Sequence, residues 1–158
     1  MKKQLKRILA AALILALSLL ALTSCNTQPA EGECLVIIGA GENHKEYKIN
    51  LEEVEITEGV LSLVKYLEEK EGLEAEYTDS GYGAYFTSID TLIPEITAEK
   101  YEYIAIFTTV EEDFDTSTSF KEIEYKGQTF GYSGLGVSSM TVAGGESYYI
   151  TIEAFVYE

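Results

Sequence analysis

Hydrophobic positions recur with two different periods along this chain. From residue 34 onward the common pattern is alternation, which places every second side chain on one face of a strand. "CLVIIGAG" (34–41) is a short β-branched run ended by glycines, and reads as a strand and a turn. "EYKINLEEVEI" (46–56) alternates loosely, with Tyr47, Ile49 and Leu51 in phase, and reads as its hairpin partner. The period then changes. In "TEGVLSLVKYLEEKEGL", Val60, Leu63, Val64 and Leu67 stand at i, i+3, i+4 and i+7, one face of a helix over about 58–71. Thr57 is the expected N-cap, and Gly72 suits the position just past the end. Each Leu or Val buried on that stripe should contribute roughly 1.5–3 kcal/mol.

The rest reads as strands. "LEAEYTD" (73–79) and "AYFTSI" (84–89) flank a turn at Gly81 and Gly83, where positive φ is expected. Gly83→Val should therefore destabilise the protein. "YEYIAIFTTV" (101–110) sets Tyr101, Tyr103, Ala105 and Phe107 opposite Ile104 and Ile106. "KEIEYKGQTF" (121–130) holds a strand and a Lys126-Gly127 turn. "VSSMTV" (137–142) reads as extended, and Gly144-Gly145 turns it into "SYYITIEAFVY" (147–157). Pro94 falls in a loop, and no internal repeat is evident. One helix on a mixed sheet of about five to seven strands is an α+β fold. A hairpin, a helix and then further strands is the order of a β-grasp.

The first residues follow neither period. Lys2, Lys3, Lys6 and Arg7 precede an apolar run from Ile8 to Leu22, broken only by Ser18. That run is shorter than the roughly 20 residues that span a bilayer. A basic start, a short apolar core and a small-residue exit describe an export leader, residues 1–24. "LTSC", Leu22 to Cys25, resembles the lipobox of bacterial lipoproteins. The resemblance implies cleavage before Cys25 and lipid on its sulfur, with the protein held on the extracytoplasmic face of the cell membrane. Two or three acyl chains, at about 0.8 kcal/mol per buried CH₂, hold firmly. Residues 25–33 are polar, contain Pro29 and read as a tether; 34–158 is one domain.

Charge narrows the partners. The leader holds four of the eleven basic residues and none of the 27 acids, leaving seven against 27, a formal −20. So acidic a body argues against nucleic acid and against lying flat on anionic lipid. With Cys25 lipidated, Cys34 has no disulfide partner within the chain and reads as a buried strand cysteine.

Candidate chemistry is sparse. Asp113, Asp115, Ser117 and Glu124 stand at calcium-loop offsets in the 111–124 acidic stretch, but the required Gly is Thr118, so a solvated acidic loop is the expectation. Gly39 and Gly41 follow a strand without the third glycine of a dinucleotide fingerprint, and read as a turn. Ser133 lacks a nucleophile elbow, and His44, the sole histidine, is expected to be exposed beside a turn. One His and one thiol cannot supply zinc with three or four ligands without carboxylates, and no metal is expected. Acids are too abundant for any carboxylate pair to be informative. Twelve tyrosines offer another possibility: Tyr82, Tyr85, Tyr101 and Tyr103 could converge across strands as a ligand-binding surface.

The elements "GVLSLVKYLEEKEGL", "SGYGAYFTSIDTLI", "KYEYIAIFTTV" and "GVSSMTVAGGESYYITIE" together resemble the transcobalamin-like C-terminal domain of bacterial lipoproteins, over about residues 57–155. That family has no defined catalytic residue, and the resemblance implies a β-grasp-like ligand-binding domain. This chain departs from the pattern: it has no Trp, no Asn-Gly after the aromatic strand, and Gly145-Glu146 in place of Gly-Asp. The expectation is a membrane-tethered, non-catalytic module that binds a small molecule or peptide and needs no cofactor. The alternative is a structural or adhesive surface protein making contacts through its sheet edge.

Overall fold

The computed structural model describes residues 31–81, 83–117 and 121–156. Residues 1–24, expected to be a leader, and Cys25, Tyr82 and Thr118 lie outside them. Eight strands and one α-helix follow in the order β1 (Glu33–Ala40), β2 (Asn43–Asn50), α1 (Gly59–Glu71), β3 (Ala75–Asp79), β4 (Ala84–Ile89), β5 (Lys100–Thr108), β6 (Glu122–Tyr125), β7 (Gln128–Tyr132) and β8 (Ser147–Val156). Six strands form a mixed sheet in the order β2-β1-β8-β5-β7-β6, and β3-β4 form a small sheet of their own. β1 and β8 run parallel; the other pairs are antiparallel.

Strand alternation sorts the sheet into two cores. Cys34, Val36 and Ile38 of β1, with Tyr148 and Ile150 of β8, face α1, where Val60, Leu63, Val64 and Leu67 are all buried. The intervening residues Ile37, Ala105, Phe107, Phe130 and Tyr149 form a second core on the opposite face. The β6–β7 hairpin covers it. The hairpin turns at Lys126 and Gly127, both at positive φ, and its tip reaches β2 at the far edge of the sheet. There the Tyr125 hydroxyl donates to Glu46 Oε1 at 2.6 Å, and Lys126 pairs with the same oxygen at 2.6 Å. The two edges of the six-stranded order therefore touch, and the sheet wraps around its second core. Lys126 above all, and then Tyr125, hold the Glu46 carboxyl below its ordinary value.

Several expectations are corrected. The segment 137–142 is not a strand. Its backbone is held by side chains instead: Thr141 N donates to Asp113 Oδ2 at 2.7 Å, Ala143 N to the Tyr148 hydroxyl at 3.1 Å, and that hydroxyl donates to Thr141 O at 2.9 Å. Once these partners satisfy the main chain, no ladder is needed. The acidic stretch is not simply solvated either. Asp113 is buried, with Thr141 Oγ1 donating to its other oxygen at 2.9 Å. Asp115 accepts from Ser117 N at 2.8 Å. These two carboxylates serve separate local bonds.

At the start of α1, neither Thr57 nor Glu58 caps with its side chain. The buried Ser62 hydroxyl accepts from Thr57 N at 3.1 Å and Glu58 N at 2.9 Å. Gly72 does close the helix in the left-handed conformation. Glu33, expected to precede the domain, already lies in β1, and Gly32 O accepts from Leu51 N at 2.9 Å. Gly39 sits in β1 opposite His44 rather than in a turn; only Gly41 is in the loop. His44 is half-buried, with its ring centroid 5.0 Å from that of Tyr125 and 5.4 Å from that of Tyr149, and it is hydrogen-bonded to the Tyr149 hydroxyl.

Gly81 and Gly83 both have positive φ, 74° and 105°. A Cβ on Gly83 would lie 3.0 Å from Ser138 Oγ, the atom that accepts Ala84 N at 2.9 Å. Gly83→Val should cost about 2 kcal/mol in a urea titration, through backbone strain and displacement of that serine. An unchanged midpoint would contradict this turn geometry.

Candidate functional site

The site grows from an interruption in the sheet. β5 pairs with β8 along its whole length, but with β7 only at Phe107↔Tyr132 and Thr108↔Gly131. Beyond that, Ser133 N donates to Ile106 O at 2.9 Å, and the chain then leaves the edge. At the other end of β5, residues 95–97 fold back on the same edge, with Glu102 N donating to Glu95 O at 3.0 Å. Between these two contacts lies a groove of about 390 Å³. Its floor includes Ile104 and Ile106, and its walls come from Ala84, Tyr85 and Phe86 of β4, the 132–137 segment, and Tyr101, Tyr103 and Phe155.

The groove gathers apolar surface that a folded domain ordinarily buries. Tyr85, Tyr101, Leu135 and Phe155 are exposed by 50, 39, 44 and 58 %. They account for four of the seven large exposed apolar side chains among the described residues, so this patch is not scattered surface hydrophobicity. The walls are also ordered. Tyr103 stacks on Phe155 with ring centroids 5.2 Å apart and planes at 16°. Tyr132 meets Phe107 edge-on at 5.5 Å, which ties the groove to the second core. The Tyr132 and Tyr103 phenols are close enough to interact electrostatically. Burial is the chief cause that raises both phenols above their ordinary value, so both are neutral donors and acceptors at neutral pH.

The described lining contains no Asp, Glu, His, Cys, Lys or Arg. Ser133 is present but buried, and its hydroxyl accepts Leu135 N at 3.1 Å, a turn bond. His44 belongs to the aromatic cluster under the hairpin tip and serves no serine. Burial pushes the Cys34 thiol up to about 11, which keeps it protonated and unreactive at neutral pH. Among the described residues, no three His, Cys, Asp or Glu side chains are placed to share a metal ion. What the arrangement can do is exclude water over rigid rings and offer hydroxyls at their rims.

Of the four tyrosines expected to converge, Tyr85, Tyr101 and Tyr103 do line one groove, and Tyr82 lies outside the described residues. Tyr132, Leu135 and Phe155 were missed. Phe155 could have been found only with the register that pairs it with Tyr101. Tyr132 and Leu135 carry no sequence signal, because they arrive through the partial pairing of β7 and the departure of the chain after it.

No protein-family model matches this chain, and no curated protein matches it. Among solved structures it is similar to a Ruminococcus gnavus protein provisionally described as metal-binding. The two share 12% identity at a TM-score of 0.43, over 78% of this chain and 97% of the other. Among the described residues, no helix is long and apolar enough to cross a membrane.

Proposed function

We propose that this chain is a lipid-tethered extracytoplasmic binding module that captures a small molecule or short peptide in the β5 groove and performs no chemistry on it. The observation that carries the reading is the convergence of exposed Tyr85, Tyr101, Leu135 and Phe155 on one groove. The neutral lining, whose one serine is buried in a turn bond with Leu135 N, supports binding rather than catalysis. The hairpin followed by a helix, with the first and last described strands paired in parallel within the sheet, supports the β-grasp-like assignment. It also supports the likeness to the transcobalamin-like C-terminal domain. The adhesive alternative draws less support. The outer strands are β2, which carries Lys45, Glu46 and Lys48, and the four-residue β6 with Glu122 and Glu124. Charged or short edges resist strand addition.

Two experiments test this. Thermal melting of the lipid-free chain against corrinoids, haem, short peptides and sugars should show one responsive class, since ligand at 100 times its Kd stabilises by about 2.7 kcal/mol. Tyr101→Ser and Phe155→Ser, both at the exposed rim, should remove that shift while leaving the chain folded. A flat panel, or a shift indifferent to both variants, would overturn the groove as the site. Separately, Cys25→Ala should move the protein out of the membrane fraction and abolish labelling by radioactive palmitate. Retention with label would refute anchoring through Cys25.

A further inference from the structure

The groove's floor has a feature that narrows the ligand class, and the inference rests on the groove being the binding site. Thr109 N donates to Ser147 O at 3.1 Å in the same register that pairs β5 with β8 from Lys100 to Thr108. Antiparallel pairs alternate between bonded and non-bonded, so the odd-numbered residues of β5 exchange bonds with β8. The even-numbered ones direct N–H and C=O to the opposite edge. Two observed bonds agree: Glu102 N to Glu95 O, and Ser133 N to Ile106 O. Ile104 lies midway between them. Among the described residues nothing bonds its N–H or its C=O, and Ile104 lines the groove.

We infer that the groove recognises one residue of an extended, uncharged, apolar peptide segment, which exchanges two main-chain hydrogen bonds with Ile104. An N–H and a C=O from one strand residue form the pattern that one facing residue of an antiparallel strand satisfies. Length is limited by the occupied neighbours. Glu95 and Ser133 already hold the edge at Glu102 and Ile106, so about three residues fit, roughly 10 Å of strand. A longer added strand would collide with both. Alternation then assigns the side chains. The central one falls on the Ile104 face, against Ala84 and Phe86, and its two neighbours fall on the face of Tyr103, Tyr132 and Phe155. No charged group in the described lining meets a charged ligand side chain, so apolar side chains are selected at all three places.

The test is calorimetric titration of the full chain in zwitterionic micelles with N-acetyl-Phe-Leu-Phe-amide. A parallel titration uses the analogue in which the leucine N–H is replaced by an ester oxygen. Amide-resolved NMR of the same samples follows Ile104. The peptide should bind and shift the Ile104 N–H resonance. The ester, which cannot donate to Ile104 C=O, should bind roughly tenfold more weakly. Tyr101→Ser should weaken both ligands alike. Equal binding of peptide and ester overturns the main-chain pairing while leaving the groove as a site. Binding with the Ile104 resonance unmoved overturns it in the same way. Binding of neither ligand also overturns it, and the groove is then judged by the melting panel alone.

Discussion

Gly39→Ala is expected to destabilise the protein by about 3 kcal/mol or more, although it adds one methyl group. Gly39 pairs with His44 beside the β1–β2 loop, and a Cβ there would lie 2.0 Å from Asn43 O and 2.7 Å from His44 Cα. Both obstacles are backbone of the paired strand, so no rotamer change relieves them. The hairpin must open at its loop end, and that displaces His44 from Tyr125 and Tyr149, whose contacts hold the tip of the covering hairpin. Overpacking at a site that can yield costs about 1–3 kcal/mol, and one against fixed backbone belongs at or above the top of that range. Urea denaturation followed by tyrosine fluorescence measures it. A loss under about 0.5 kcal/mol would mean that the two strands do not approach so closely.

Phe107→Ala should cost about 3–5 kcal/mol, the range for deleting a fully buried aromatic. Phe107 is completely buried at the centre of the second core, between Ile37, Ala105, Phe130 and Tyr149, and Tyr132 rests on its edge. The effect should also have a direction. Among the described residues the β6–β7 hairpin pairs in the sheet with β5 alone, through two residue pairs, so its attachment relies on this core. Hydrogen exchange should therefore rise in 122–132 more than in α1, which packs on the other face. Ligand binding should fall with it, because Tyr132 forms a groove wall. A uniform rise through both faces would show that the two cores unfold as one.

The helix was legible in the sequence because its information is local. Val60, Leu63, Val64 and Leu67 repeat at the period of the backbone itself, and Gly72 marks the end by its freedom at positive φ. Strands β4, β5 and β8 were legible through alternation, which also sorted Tyr148 from Tyr149 and Ile106 from Phe107 onto opposite faces. The stretch 137–142 misled for an equally physical reason. Its pattern suits a strand, but Asp113 and Tyr148, distant or separated in sequence, satisfy its backbone first. The acidic 111–124 stretch misled in the same way, since nothing local reveals that Thr141 will come to cover Asp113.

By itself, then, the sequence determined the helix over 59–71, the period and facing of the main strands, and the glycine turns at Gly81, Gly83 and Gly127. Along with Tyr82, it also raised Tyr85, Tyr101 and Tyr103 as candidates, because rigid rings with polar tips on neighbouring strands could converge. Only the tertiary structure decided that these three share a groove with Tyr132, Leu135 and Phe155. It decided, too, that the sheet curls until Tyr125 meets Glu46, and that Ile104 is left between two occupied stretches of edge. Those outcomes depend on register and strand order. Both are set by contacts between residues far apart in the chain, whose energies no local pattern encodes.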